Sequence, residues 1–225
     1  MGRRTKSEHR GDVYRILIVD DHPVVRFGLS QVIAKHSDLT VVGEAGNVEE
    51  AVHLVKSTAP DLAIVDLALD NESGLRLIEH IKTEFPETKT LVSSIYDEAV
   101  YAPRALRAGA MGYIEKGKPI EEIIEAIHRI RQGELYLSPQ VGQRLLQRAA
   151  SGKPLDEAPP EMLSSRELEV FGMIGQGMAV NEIARRLQIS PKTIESHRKN
   201  IKTKLNLKNS AQLTHRAINW VREQT

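Results

Sequence analysis

Between residues 14 and 133 the sequence alternates short β-rich runs with segments of helical periodicity, and no other feature constrains the fold as strongly. The β-rich runs are YRILIVD (14–20), TVVGEA (40–45), DLAIVDL (61–67), TLVSS (90–94) and AMGYIEK (110–116). Helices are expected at 23–36, 47–58, about 74–84, about 98–108 and 119–133. Repeated βα units require a parallel sheet that is covered on both faces. The sequence therefore predicts an α/β fold with a doubly wound (βα)5 sheet.

The charge is divided between two parts of the chain, although the whole has a net charge of only +1. Residues 14–137 contain 13 basic and 20 acidic residues, whereas residues 161–225 contain 11 basic and 6 acidic residues. This asymmetry indicates two domains with different partners, a cation for the acidic part and a polyanion for the basic part. A chance difference between two solvated surfaces is the alternative interpretation.

The boundary between these domains is expected at residues 138–160, where Pro, Gly and Ser are frequent. We interpret this segment as an interdomain linker with a short helix at about 140–149. The basic leader, residues 1–13, is expected to be disordered.

The absence of cysteine excludes disulfides, thiolate nucleophiles and Cys-ligated metal centres. The sequence has no apolar run long enough to span a membrane, and no apolar stretch follows the basic start as in a secretory signal. A cytoplasmic protein with no membrane partner is therefore expected.

Polar residues follow four of the predicted strands, where the carboxyl ends of parallel strands meet at one edge of the sheet. These strand-end residues are Asp20, Asp21, Asp66, Ser94 and Lys116. Three carboxylates at close quarters repel one another unless a cation joins them, and an all-oxygen ligand set suits Mg²⁺. A carboxylate beside Mg²⁺ can act as a nucleophile toward phosphorus. A single Asp after a strand is more often a turn residue, but the convergence of four strand ends favours a site.

Residues 14–135 resemble the receiver domain of two-component response regulators. The resemblance rests on ILIVDDHPVVRFGL, DLAIVDLAL, LVSSIYDE and RALRAGAMGYIEK, and on the spacing of the strand-end residues. It implies a flavodoxin-like receiver that is a phosphoacceptor, which catalyses its own phosphotransfer and dephosphorylation and is not otherwise an enzyme.

The resemblance also implies roles for individual residues. The phosphoacceptor is Asp66, and the Mg²⁺ ligands are Asp20, Asp21, Asp66 and the backbone carbonyl of Ala68. The catalytic and switch positions are Ser94, Tyr113 and Lys116. Three residues depart from the family pattern in ways that concern the geometry of switching, namely Asp70, Pro103 and Gly117.

The basic part predicts a helix-turn-helix. Ser164 and Glu167 form a capping-box pattern at the start of one helix (163–177), and a second amphipathic helix follows at 180–189. Ser190 and Pro191 then begin a basic third helix, and a last helix is expected near 209–222. A short turn before a basic helix is the geometry that places a helix in the major groove. A helical bundle with a solvated basic face explains the pattern equally well.

Residues 161–225 closely resemble the LuxR-type helix-turn-helix domain, through LSSRELEVFGMIGQGMAVNEIARRLQISPKTIESHRKNIKTKL. By position, Glu195, Ser196 and Lys199 are candidates for base contacts. The candidates for phosphate contacts are Lys192, Thr193, Arg198, Lys202 and Lys204. We expect His197 to pack partly against its own domain, and Trp220 to lie in the core rather than in an interface.

A receiver followed by this domain is typical of the NarL/FixJ type of response regulator. The resemblance implies a transcription factor with three partners: a sensor histidine kinase, operator DNA and a second copy of the chain. Phosphorylation of Asp66 would then control dimerisation and operator binding. One alternative is a DNA-binding regulator that ignores phosphorylation and uses its receiver as an interaction module. A phosphatase of the haloacid-dehalogenase type is disfavoured, because Ala68 stands where its second Asp is needed.

Overall fold

The structure is a computed structural model that describes residues 13–69, 72–150, 163–187 and 189–224. The described chain forms two compact units. The first comprises the chain up to residue 95 with residues 104–137, and the second comprises residues 96–103 and the chain from 138 onward. Most of the predicted leader (residues 1–12), Asp70 and residues 151–160 of the predicted linker lie outside the described residues.

The first unit is built on a sheet of five parallel strands in the order β2-β1-β3-β6-β7. In chain order the strands are β1 (Tyr14–Val19), β2 (Leu39–Ala45), β3 (Leu62–Val65), β4 (Ala68–Leu69), β5 (Glu72–Ser73), β6 (Lys89–Ser94) and β7 (Gly112–Glu115). The helices of this βα alternation are α1 (Pro23–Ile33), α2 (Val48–Thr58), α3 (Gly74–Glu84), α4 (Glu98–Ala108) and α5 (Glu121–Arg131). The predicted doubly wound (βα)5 sheet is confirmed.

The sheet is buried on both faces, which explains why its strands are almost continuously apolar. On one face Ile16, Ile18 and Ile64 pack with Ile33 of α1 and Ile127 of α5. Successive side chains of a strand point to opposite faces. The parallel strands therefore need helices on both sides, and the alternation along the chain supplies them.

The helix starts follow local capping signals that the sequence displays. Pro23 occupies the first turn of α1, and the Asn47 side chain accepts a hydrogen bond of 2.9 Å from the backbone N–H of Glu50 at the start of α2. Helix α4 continues from Glu98 to Ala108 through a buried Pro103, so this proline does not shorten the helix. Gly117, another of the residues that depart from the receiver pattern, lies in an exposed turn. A Cβ atom added there would meet no atom within 4 Å.

An antiparallel hairpin, β4 with β5, follows β3 and was not predicted from the sequence. It ends where α3 begins at Gly74, which packs directly on the backbone that follows β3. A Cβ atom at Gly74 would collide with the carbonyl oxygen of Asp66 and would lie 2.7 Å from the Cα atom of Leu67. This close approach holds the chain after β3 against the start of α3.

The second unit contains the remaining helices, which are α6 (Pro139–Ala150), α7 (Ser165–Gly175), α8 (Val180–Arg186), α9 (Pro191–Lys204) and α10 (Ser210–Gln224). The predicted capping box is present, because Ser164 Oγ accepts from the Glu167 N–H at 3.3 Å and Glu167 Oε2 accepts from the Ser164 N–H at 2.8 Å. Trp220 is 6% exposed, and its ring centroid lies 5.5 Å from that of Phe171. The predicted core position of Trp220 is confirmed.

Among the described residues, none of the helices combines the length and the apolar character that crossing a bilayer would need.

The contact beneath Gly74 predicts an asymmetry between two glycine substitutions. Gly74→Ala should lower the free energy of unfolding by about 1–3 kcal/mol, because the new methyl group meets backbone atoms that have no room to move. Gly28→Ala, inside α1 where a Cβ meets nothing within 4 Å, should raise it by about 0.5–1 kcal/mol. Urea denaturation of both variants measures the difference. If Gly74→Ala and Gly28→Ala changed the free energy of unfolding by the same amount, the start of α3 would be shown to tolerate a side chain.

Candidate functional site

The strand-end residues do converge at the carboxyl edge of the sheet. Asp20 follows β1 and Asp66 follows β3, while Ser94 ends β6 and Lys116 follows β7. Asp20 and Asp66 are each 2% exposed, and Ser94 is fully buried. Four of the five side chains predicted to meet there are thus held by the ends of four different strands.

Asp66 lies at the centre of this cluster, which we call the acidic pocket together with Asp21. Its Oδ1 atom accepts hydrogen bonds from the Ser94 hydroxyl at 2.9 Å and from the backbone N–H of Ala68 at 3.0 Å. Its Oδ2 atom lies 2.5 Å from Lys116 Nζ, which also contacts Asp20 Oδ2 at 2.7 Å. The ammonium group therefore bridges two buried carboxylates, and both oxygens of Asp66 are engaged.

Burial and charge act in opposite directions on this pair. Burial raises the pKa of Asp66, and the nearby ammonium group of Lys116 only partly offsets this effect. Burial alone would lower the pKa of Lys116, but the carboxylates of Asp66 and Asp20 raise it above its ordinary value. Lys116 consequently remains a cation inside the pocket, where it can neutralise negative charge.

The donor atoms of the acidic pocket fit a magnesium ion. Asp20, Asp21 and Asp66, with His22, each offer one ligand atom, and these atoms all lie within 4.8 Å of one another. Three carboxylates form the hard oxygen set that Mg²⁺ prefers. For Ala68 the structure shows the N–H contact with Asp66, while metal binding by its carbonyl remains a prediction.

Two neighbours of the pocket were not singled out from the sequence. The backbone N–H of His22 donates to Asp20 Oδ1 at 2.9 Å, and His22 Nδ1 lies 2.6 Å from Asp21 Oδ1. Arg26 donates from Nη1 to the backbone carbonyl of Asp20 at 2.6 Å and thereby holds the end of β1. The sequence could have indicated a role for Arg26, because the first turns of α1 must pass above the residues that end β1.

Tyr113 lies within β7 with 1% of its surface exposed. Its backbone N–H donates to the carbonyl of Tyr136 at 2.9 Å. The predicted aromatic switch residue is thus an interior side chain, three positions before Lys116 on the same strand segment.

In the second unit, α8 and α9 form the predicted pair of helices joined by a short turn. Ser190 caps α9 by accepting from the Thr193 N–H at 3.1 Å, and Pro191 occupies its first turn. Ile194 and Ile201 are fully buried and define the inner face of α9. The residues of α9 that are exposed include Lys192, Thr193, Glu195, Ser196 and Lys199. These side chains lie at the surface, although those of Thr193, Glu195 and Ser196 also have partners within the domain.

Among the residues of α9 that have intramolecular partners or are partly covered are Arg198, His197 and Lys204. Arg198 lies 3.2 Å from Glu195 Oε1, with 18% of its side chain exposed. His197 is half-buried, as expected, and burial lowers its pKa. Lys204 Nζ lies 2.6 Å from Oε2 of the buried Glu167 and connects α9 to the start of α7. The structure thus gives Lys204 an internal partner, and its phosphate contact stays a prediction.

This ion pair also sets the charge state of Glu167. Burial alone would raise the pKa of Glu167, but hydrogen bonds from Lys204 and from the backbone N–H of Ser164 lower it. Glu167 therefore acts as a carboxylate that joins two helices, and Lys204 stabilises the fold of this unit.

Known proteins resemble both halves of the chain. A family model for the response regulator receiver domain matches residues 16–128, and a model for bacterial regulatory proteins of the luxR family matches residues 161–217. The oxygen regulatory protein NreC of Staphylococcus epidermidis is 38% identical over 210 residues, which cover 91% of this chain and 96% of that protein.

Two solved structures are similar in fold and in sequence. A LuxR-family two-component response regulator from Aurantimonas sp. SI85-9A1 is 32% identical with a TM-score of 0.57, covering 61% of this chain and 99% of that one. RcsB of Salmonella enterica serovar Typhimurium, bound to promoter rprA in the presence of the phosphomimetic BeF3−, is 26% identical with a TM-score of 0.56. That likeness covers 91% of this chain and 98% of RcsB.

The bridging ammonium group predicts a large cost for its removal. Lys116→Met should lower the free energy of unfolding by about 3–5 kcal/mol in the absence of divalent cations, because it leaves two buried carboxylates unpaired. Adding Asp66→Asn to this variant should restore part of the lost free energy of unfolding, since one buried charge then disappears. Urea denaturation in EDTA measures both effects.

Lys118→Met is the matched control, because Lys118 is exposed two residues away. Its substitution should change the free energy of unfolding by about 0.5 kcal/mol or less. Similar losses for Lys116→Met and Lys118→Met would contradict the bridging role of Lys116.

Proposed function

The chain belongs to the two-component response regulators of the NarL/FixJ type, and on this basis we propose that phosphorylation of Asp66 controls DNA binding through α9. The protein is a transcription regulator with a receiver and a LuxR-type DNA-binding domain, and not a classic enzyme. We assign the receiver to residues 14–137, the linker to residues 138–160 and the DNA-binding domain to residues 161–225. The ranges of the two family matches support these assignments.

The observation that carries the proposal is the set of contacts around the Asp66 carboxylate. The phosphodonor is a phosphohistidine of a partner histidine kinase. A carboxylate oxygen of Asp66 forms a bond to phosphorus, the bond from phosphorus to the histidine nitrogen breaks, and the nitrogen keeps the electron pair. Mg²⁺, held by Asp20, Asp21 and Asp66, would supply neutralisation of the charge on the phosphoryl oxygens.

The same contacts provide a switch. Once one oxygen of Asp66 is bonded to phosphorus in an acyl phosphate, the Ser94 hydroxyl and the Lys116 ammonium group lose part of their present partner. A phosphoryl group adds a charge of roughly −1.5 to −2 and three strong acceptor oxygens, to which both groups would turn. Ser94 ends β6 and Lys116 follows β7, so their movement reaches Tyr113 through the strand segment that it shares with Lys116.

The proposed switch is a shift in the balance between two populations of the receiver, its resting conformation and its activated conformation. A shift from 1:99 to 99:1 requires about 5.5 kcal/mol of preferential stabilisation. Charge-assisted hydrogen bonds contribute about 1.5–3 kcal/mol each, and only the excess of the new bonds over those already made to the Asp66 carboxylate counts toward this difference. Hydrolysis of the aspartyl phosphate by the receiver itself would return the protein to its starting state.

The exposed face of α9 is the proposed DNA-reading surface. Glu195, Ser196 and Lys199 are placed to reach base edges, and Lys192, Thr193, Arg198 and Lys202 to contact phosphates. Lys204 is a further candidate for a phosphate contact, because 38% of its side chain is exposed although its ammonium group is paired with Glu167. RcsB, with a similar fold, has been solved on promoter DNA and as dimers on DNA. We propose that this chain also binds operator DNA as a homodimer, which would match the symmetry of two half-sites.

Phosphorylation is tested by the intact mass of the protein after incubation with Mg²⁺ and acetyl phosphate. We expect the mass of one phosphoryl group to be added to the wild type and to Asp97→Asn, which changes an exposed carboxylate. We expect no addition to Asp66→Asn. A folded wild type that gains no phosphoryl group would overturn the switch and favour a regulator that binds DNA without phosphorylation.

The DNA-reading surface is tested by the salt dependence of binding to a DNA duplex. Lys192→Ala should reduce the slope of log K against log salt concentration by about 0.9, because one phosphate contact is lost. Lys202→Ala should act in the same way. Lys118→Ala removes the same charge from an exposed turn of the receiver and should leave the slope unchanged. An equal change of slope in all three variants would indicate a net-charge effect without a defined surface.

A further inference from the structure

A second cluster of metal-ligating side chains lies in the receiver, away from the acidic pocket. His36 follows the end of α1, Asp38 directly precedes β2, and His128 belongs to the last turn of α5. Each offers one ligand atom, and the three atoms lie within 4.8 Å of one another. We propose that His36, Asp38 and His128 form a binding site for a divalent transition-metal ion, with Zn²⁺ as the best fit. The site does not depend on the proposed phosphorylation.

The ligand types point to zinc and away from magnesium. Two imidazole nitrogens and one carboxylate oxygen are the donors of many three-ligand zinc sites, in which water fills the fourth position. Magnesium prefers oxygen ligands alone and is expected to remain in the acidic pocket. The ligand types therefore favour Zn²⁺ at the proposed site and Mg²⁺ in the acidic pocket.

The distances need only small rotations of the side chains. His128 Nδ1 lies 3.7 Å from Asp38 Oδ2. In a tetrahedral site with bonds of about 2.0–2.2 Å, ligand atoms are separated by about 3.4 Å. The centroids of the two imidazole rings are 6.2 Å apart and the rings are inclined at 71°. His36, Asp38 and His128 are all half-buried, so they can turn toward a shared ion without repacking the core.

The backbone beneath the ligands is held by hydrogen bonds. The Asp38 carbonyl accepts from the Tyr14 N–H at 2.8 Å, and the His36 carbonyl accepts from the Leu39 N–H at 3.1 Å. The His128 carbonyl accepts from the Gln132 N–H at 3.2 Å. The two chain segments that carry the three ligands are therefore already ordered before a metal ion binds, which lowers the cost of binding.

Arg131 supplies the supporting contact that metal-binding carboxylates usually have. Its Nη1 atom lies 3.1 Å from Asp38 Oδ2, and its guanidinium group lies 5.4 Å from the centre of the Tyr14 ring. In the unbound protein Asp38 Oδ2 faces both Arg131 and His128. The carboxylate must therefore turn so that one oxygen keeps Arg131 and the other binds the metal. The positive charge of Arg131 opposes a cation, and we therefore expect a moderate affinity.

The test is isothermal titration of the full chain with Zn²⁺ in excess Mg²⁺, together with the visible absorption of bound Co²⁺. We expect Zn²⁺ to bind and Co²⁺ to show the intense bands of a tetrahedral site. His36→Ala and His128→Ala should each weaken binding at least tenfold, and His128→Gln should do the same with less change of volume. Circular dichroism and urea denaturation verify that each variant is folded.

Two control variants separate this site from other histidines. His53→Ala removes an exposed imidazole from α2, and His22→Ala removes the imidazole beside the acidic pocket. Both should bind Zn²⁺ as the wild type does. Three results would overturn the proposal: no binding by the wild type, unchanged binding by a His36→Ala/His128→Ala variant, or loss of binding by His22→Ala.

Discussion

The ammonium group of Lys116, held between the carboxylates of Asp20 and Asp66, is the interaction on which the receiver depends. Two buried carboxylates would repel each other strongly without a cation between them. The resting site is thus kept together by a charge that the protein supplies. In the proposed phosphorylated form, the same ammonium group would also meet a phosphoryl oxygen.

The parallel sheet makes this arrangement possible, and for that reason the site could be predicted from the sequence. Residues after parallel strands meet at one edge whatever their separation along the chain. Asp20, Asp66, Ser94 and Lys116 could be grouped because each comes at the end of a strand-like run. Capping signals such as Asn47 and Ser164 act within a few residues, so they too were visible in the sequence.

Features that depend on the path of a loop or on a distant partner could not be predicted in this way. The β4–β5 hairpin consists of two-residue strands, which are too short for an alternating pattern. The pairing of Lys204 with Glu167 joins two helices, and in the sequence Lys204 is only one more basic residue of α9. His36 and His128 come together through the packing of α1 and α5, for which residue spacing gives no signal.

The two domains use buried charge for different purposes. In the receiver, both oxygens of Asp66 contact groups that can turn to a new partner, so that charge is available for chemistry. In the DNA-binding domain, Glu167 is bound by Lys204 and by the capping box, and its role is to hold α9 in place. Because Glu167 anchors α9, this helix would lose little conformational freedom on meeting the proposed DNA target, which lowers the cost of binding. The proposed switch thus needs a buried charge whose partners can change, and the proposed DNA-reading surface needs one whose partners stay in place.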